Sequence, residues 1–395
     1  MGDQSNKKKK KSSEEICLNE LKARLRDVEG QTVSLTISGC CDILQGVVSQ
    51  VDKGGITLKG TFGTRIIPIC QISSLDPCRV LGYVVNLRTR ENPGNTVSVI
   101  DTFLDEVIKT IIVGNGAVGV AINPDGTRVY VANIADDTVS VIRTATNKVI
   151  DTIPVGDGPL SVEFTPDGRF AYVTNSNDNT VSAINTVTHS VFTTITVGME
   201  PFGLAIGNTP LGALAYVANS GETNVSVIDV NPSSPTYNTV IATIEVGNGP
   251  IDVAITPQGT TVYVTNSGDN TVSAIDTATN NVTTILVGVE PAGVGTGITP
   301  LGTRAYVLNS GGDTISVIDA EPNSPTFNTV IFTITKGVGD SPSDADLTPD
   351  GRKAYVPNNN SNNVSVIDTL TNTIIDTIPV GVNPNTIAIG RVCSK

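Results

Sequence analysis

The tetrapeptide Tyr-Val-x-Asn recurs seven times along the chain, at Tyr83, Tyr130, Tyr172, Tyr216, Tyr263, Tyr306 and Tyr355. The spacings are 47, 42, 44, 47, 43 and 49 residues, and seven of the eight tyrosines are used in this way. Around each copy lie short apolar runs with the two-residue alternation of half-buried strands. One unit reads Pro159-Leu-Ser-Val-Glu-Phe-Thr-Pro-Asp-Gly168, Phe170-Ala-Tyr-Val-Thr-Asn175, Asn179-Thr-Val-Ser-Ala-Ile-Asn185 and Ser190-Val-Phe-Thr-Thr-Ile-Thr-Val197. Pro and Gly mark the first turn, and side chains of Asn and Asp suit the second. Four strands in forty-odd residues, repeated at a fixed period, predict the blades of a β-propeller.

Six complete units can be cut, at 117–158, 159–200, 201–249, 250–290, 291–340 and 341–383. Residues 80–116 hold a second, third and fourth strand without a first, and residues 384–390 hold a first strand with nothing after it. Each fragment supplies what the other lacks. The expectation is therefore an all-β, seven-bladed propeller over residues 80–395 whose last blade is closed by both chain ends, which leaves no open sheet edge. The units 201–249 and 291–340 also share Thr-Pro-Leu-Gly and the inserts Asn231–Asn238 and Glu321–Asn328, so blades 159–249 are echoed by 250–340.

Tyr-Val-Thr-Asn at Tyr172 and Tyr263, each followed by Asp-Asn-Thr-Val-Ser, resembles the YVTN-family propeller repeat over about 310 residues. Members of that family resemble surface-layer and cell-envelope proteins, and related propellers include lactonases and redox proteins. A shared fold does not decide among these functions.

Residues 1–79 differ in kind. A lysine-rich tail (1–13) precedes a helical pattern from Glu14 to Val28, then short strand patterns at 32–37, 44–51, 55–59, 64–69 and 71–75. A helix followed by five short strands over 14–79 predicts a small barrel, and it resembles Sm-like or SH3-like domains of spore-coat-type proteins. Five of the six cysteines (Cys17, Cys40, Cys41, Cys70, Cys78) fall here and the sixth is Cys393, which leaves the propeller body independent of disulfides. Cys40, Cys41, Cys70 and Cys78 are candidates for local bridging or cross-linking, with reduced thiols as the alternative.

Charge narrows the partners. The first 79 residues carry 12 Lys and Arg against 9 Asp and Glu; the rest carry 13 against 29. An acidic propeller is a poor match for nucleic acid, whose phosphates require a basic footprint. No apolar run is long enough to cross a membrane, and no apolar stretch follows the lysines to make a Sec signal.

Chemistry is harder to locate. A lone histidine, His189, argues against copper or haem sites, and it falls in a hairpin expected to be exposed. No Gly-x-Ser-x-Gly elbow or phosphate loop occurs. Carboxylates in the turns and connectors of one face (Asp178, Glu222, Asp269, Asp313, Asp157, Glu200, Glu290, Asp340) suit turn formation, with weak calcium binding as the alternative. The sharper anomaly is in the innermost strands. Their fifth position reads Ala121, Glu163, Ala205, Ala254, Gly295, Asp346 and Ala388, small except for two acids, while Asp252 and Asp344 occupy third positions. These four carboxylates are the candidate ligand-binding residues. They imply either a water-filled channel that tolerates charge or a site for a cation or cationic ligand.

On these grounds the expected function is non-enzymatic: a structural or binding protein of a bacterial spore or cell surface. It would dock to other surface or spore-coat proteins through residues 14–79, be made without a Sec signal peptide, and need no cofactor unless calcium binds. The cytoplasm is the fallback location. The alternative is a lactonase-like hydrolase using the channel carboxylates, with Glu163 or Asp346 as base and a divalent cation.

Overall fold

The computed structural model describes residues 32–37, 43–51, 55–60, 63–68, 72–76, 78–87 and 94–393, with side chains from Cys78 onward. The lysine tail, the predicted helix Glu14–Val28 and Cys17, Cys40, Cys41 and Cys70 lie outside the described residues. The chain divides into two compact units, 1–79 with 393–395, and 80–392. In the first unit Thr32–Ile37, Ile43–Val51, Gly55–Gly60 and Gly63–Pro68 run as an antiparallel meander, and Ile72–Asp76 pairs with the free side of Thr32–Ile37.

The second unit is a seven-bladed propeller. Six four-stranded antiparallel sheets are each drawn from one continuous repeat. The seventh has the strand order Pro384–Cys393, Cys78–Asn86, Thr96–Asp101, Glu106–Ile112, so the C-terminal strand supplies the innermost position of a blade begun by the N-terminal segment. Closure matches the expectation, with one extension. Both strands run further than the alternation suggested, and at their ends Cys78 and Cys393 form a disulfide across 315 residues. The propeller is thus not independent of disulfides: its first and last strands are bridged to each other.

Burial explains the strand patterns. Second and third strands lie between two neighbouring blades, so Phe170–Asn175 and Thr261–Asn266 are buried at every position. Fourth strands form the rim and bury a single isoleucine each, at Ile111, Ile153, Ile195, Ile244, Ile285, Ile334 and Ile378. Removing such a side chain from water contributes about 2 kcal/mol per blade. Innermost strands crowd the axis: Ala117–Ile122, Pro159–Phe164, Pro201–Thr209, Pro250–Ile255, Pro291–Thr299, the short Asp346–Leu347 and Pro384–Cys393.

The repeated motif has a direct chemical reading. Its asparagine is buried and its Nδ2 clamps the neighbouring strand at two places. Asn175 donates to Thr180 Oγ1 and Ser182 Oγ, both at 2.9 Å, and Asn266 donates to Thr271 and Ser273, both at 3.0 Å. This is why Tyr-Val-x-Asn is followed by Thr-Val-Ser. The amide also packs on the glycine of the blade-to-blade connector, where a Cβ at Gly156 would meet the Asn175 Cγ at 2.7 Å. The tyrosine holds the next blade. Tyr172 OH donates to Asn238 at 2.6 Å, Tyr263 to Asn328 at 2.6 Å, Tyr83 to Asn147 at 2.9 Å and Tyr306 to Asn372 at 3.1 Å. Each acceptor sits in a rim hairpin at positive φ (49° to 61°), a conformation asparagine tolerates well. Tyr355 donates to Asp105 in the same way.

His189 occupies the equivalent hairpin position, at φ 51°. It is half-buried rather than exposed, edge-on to Tyr130 and 2.7 Å from Asp151. Among the described residues the hydroxyls of Tyr130, which faces this histidine, and of Tyr216 have no hydrogen-bond partner.

Candidate functional site

The seven innermost strands enclose a cavity of about 440 Å³ whose walls include Glu163, Asp252, Asp344 and Asp346. The other four innermost strands contribute only uncharged residues to this lining, among them Val120, Ala205, Thr296 and Ala388. All four sequence-predicted carboxylates are therefore brought to one compartment, and among the described residues no Arg, Lys or His lines it.

The four are not equivalent. Asp252 Oδ2 accepts the Val294 N–H of the next blade at 2.9 Å. Asp344 accepts the Ala345 N–H at 2.7 Å and, across the blade boundary, the Ile387 N–H at 2.9 Å. Asp346 does the same with Leu347 at 2.7 Å and Ile389 at 2.6 Å. These aspartates stitch adjacent innermost strands together where side-chain packing at the axis is thin. Glu163, one methylene longer and on blade three, makes no hydrogen bond among the described residues. It is the one carboxyl of the set that no backbone amide engages among the described residues.

Electrostatics separates them in the same way. Each keeps some contact with the cavity, yet the surrounding walls remove most bulk water, which disfavours the charged form. Burial, followed by the charges of Asp346, Asp344 and Asp252, pushes Glu163 up from 4.5 to about 8. Burial raises Asp346 to about 7 and Asp252 to about 7, with the amide hydrogen bonds pulling the other way. Asp344, raised by burial and held down by two amides, reaches about 6. A carboxyl group poised near neutrality in a half-open cavity is suited to accept and return a proton.

The acids of the rim face have other work. Asp178 accepts the Asp157 N–H at 2.8 Å, Asp269 the Asn248 N–H at 2.7 Å, and Asp313 the Ser341 N–H at 2.8 Å. These bonds fix the connectors between blades. Among the described residues, no three His, Cys, Asp or Glu side chains are gathered closely enough to hold one metal ion.

Sequence reasoning found the four carboxylates from their size at crowded positions. It missed the division between amide-bonded aspartates and the unbonded glutamate, because the donors are backbone groups about 42 residues away and leave no trace in side-chain identity.

The family model described as "Lactonase, 7-bladed beta-propeller" matches residues 119–289 and 206–373, together well over half the chain. No curated protein matches the sequence. Among solved structures, hydrazine synthase of Kuenenia stuttgartiensis is 25% identical with a TM-score of 0.61, covering 70% of this chain and 91% of that one. A functionally unknown protein from Desulfotomaculum acetoxidans is 18% identical with a TM-score of 0.67, covering 80% and 99%. A putative 6-phosphogluconolactonase from Bacteroides uniformis is 16% identical with a TM-score of 0.66, covering 79% and 99%. The last two likenesses concern the fold alone. The family match overturns the expectation of a non-enzymatic surface or spore-coat scaffold. Periodicity is the same in a display propeller and in an enzyme, so the repeat could not separate them, and the family match favours the hydrolase.

Proposed function

Because the chain belongs to the lactonase family of seven-bladed β-propellers, we propose that it hydrolyses a lactone in the axial cavity, with Glu163 as the general base. Family membership carries the reaction class. The single structural observation supporting the residue assignment is the unbonded Glu163 carboxyl among amide-anchored aspartates.

In this reading the Glu163 carboxylate takes a proton from a water as the water oxygen attacks the lactone carbonyl carbon. The tetrahedral intermediate collapses by breaking the ring C–O bond, and the Glu163 carboxylic acid returns the proton to the departing ring oxygen. Atoms and charge balance: water and lactone give a hydroxy acid, and Glu163 ends as it began. The neighbouring aspartates raise the basicity of Glu163 through their charge and keep the innermost strands in register.

The test is a lactone panel assayed by pH-stat with the full chain. Turnover is expected to rise with pH as Glu163 ionises, with its midpoint near about 8. Glu163→Gln should lower kcat by about 10²- to 10³-fold, the usual scale of a lost general base. Lactone hydrolysis no faster than in buffer, or full activity in Glu163→Gln, refutes the assignment.

A further inference from the structure

The walls of the cavity speak to which lactone enters. Glu163 lies on Pro159–Phe164, Asp252 on Pro250–Ile255, and Asp344 and Asp346 at the short strand Asp346–Leu347. The lining parts of Ala117–Ile122, Pro201–Thr209, Pro291–Thr299 and Pro384–Cys393 bring no ionisable side chain to face them. An anionic ligand there would meet carboxylates and, among the described residues, no compensating Arg, Lys or His, in a compartment where reduced solvation strengthens charge–charge repulsion. The wider surface has the same sign, since residues 80–395 carry 29 acidic against 13 basic side chains. Two observations identify the cavity as a ligand compartment independently of its acidity: its volume of about 440 Å³, and the Glu163 carboxyl, which lines it without a hydrogen-bond partner.

Resting on the hydrolase reading above, we infer that the substrate is an uncharged lactone, that phosphorylated or carboxylated lactones are excluded, and that the same field expels the product. Hydrolysis converts a neutral ring into a hydroxy acid that ionises in neutral water. Substrate and product then differ by one negative charge at the place where the walls are most acidic. This chain thereby differs in substrate class from a 6-phosphogluconolactonase, the activity named for two of its structural neighbours, whose substrate carries a phosphate.

The inference makes a pH signature. Below about pH 6 the cavity carboxyls hold their protons and the walls become neutral, whereas a carboxylated or phosphorylated ligand keeps its charge. Discrimination against anions should be strong at pH 9 and fade at pH 5.5.

Two measurements keep this separable from the hydrolase reading. The first is binding of non-hydrolysable probes to the full chain by ligand-observed NMR: δ-valerolactam and its ring-carboxylated analogue, at pH 5.5 and 9. The neutral lactam should bind at least about tenfold more tightly at pH 9, with the gap closing at pH 5.5 and narrowing at pH 9 in Glu163→Gln and in Asp346→Asn. Equal or tighter binding of the anion, a gap independent of pH, or binding of neither probe overturns the inference. The second is turnover of glucono-δ-lactone against its 6-phosphate. Preference for the phosphate ester overturns the inference and leaves the hydrolase standing. Hydrolysis of neither these nor any lactone of the panel, with the lactam selectivity intact, removes the hydrolase and leaves a cavity that sorts ligands by charge.

Discussion

Replacing Glu163 by glutamine should stabilise the protein at alkaline pH and leave it unchanged in mild acid. In the unfolded chain this carboxyl ionises near its ordinary 4.5; in the folded propeller it holds its proton to about 8. Below 4.5 both states are neutral and the residue contributes no pH-dependent difference. Between 4.5 and about 8 the unfolded chain ionises while the folded chain does not, so stability falls as pH rises, and above about 8 the loss is complete. Each tenfold change in acidity corresponds to about 1.4 kcal/mol, which sets an upper bound of about 5 kcal/mol for this group. Water in the cavity and relief of the neighbouring aspartates reduce the expected difference to about 2–4 kcal/mol. Glutamine keeps the shape and loses the charge. The assay is urea denaturation of wild type and Glu163→Gln at pH 5 and pH 9, followed by tyrosine fluorescence, since the chain has no tryptophan and all eight of its tyrosines lie in the propeller. The reasoning is refuted if the variant is no more stable than wild type at pH 9, or if its advantage is the same at both pH values.

Asn266→Ala removes two buried hydrogen bonds to Thr271 and Ser273 and should cost about 2–4 kcal/mol in the same denaturation experiment. Gly156→Ala drives a methyl into the Asn175 amide and should lower the melting temperature by several degrees, read by calorimetry. Cys78→Ser opens the disulfide that spans 315 residues and should lose about 3–5 kcal/mol, a loss that reductant reproduces in wild type but not in the variant. His189→Asn places the residue used by four other blades beside the unpaired Tyr130 hydroxyl and should stabilise by about 1 kcal/mol, net of the lost contact with Asp151.

Blade number, blade boundaries and closure by both chain ends could be read from seven Tyr-Val-x-Asn copies, because one asparagine chemistry recurs in every blade and a tyrosine hydroxyl bonds the next blade in five of the seven. The cavity carboxylates could be read because only small residues otherwise fit the axis, so Glu163 and Asp346 break a visible rule. The disulfide could not. Cys78 looked like the last cysteine of a cysteine-rich leading segment and Cys393 like a stray, since pairing across a closed ring has no spacing signature. Had the closing blade been followed to the ends of its two strands, the pair would have met. His189 was misplaced for a similar reason. Its burial comes from Asp151 and Tyr130 of the preceding blade, which its own hairpin sequence does not mention. The reaction class lay beyond reach, because display propellers and hydrolases share the periodicity and differ in a few residues at the axis.

The Cys78–Cys393 bridge also determines how the molecule bears mechanical load. A pull on the chain from before Cys78 and after Cys393 arrives first at the two sulfur atoms. Tension then runs through one covalent link and bypasses every blade between them. Reduction reroutes the force along the backbone, and the first element to yield is the Pro384–Cys393 strand, peeled from Cys78–Asn86 one hydrogen bond at a time. Oxidised, the ring behaves as a clasped band that cannot be unwound from its ends; reduced, it becomes a coil with a loose end.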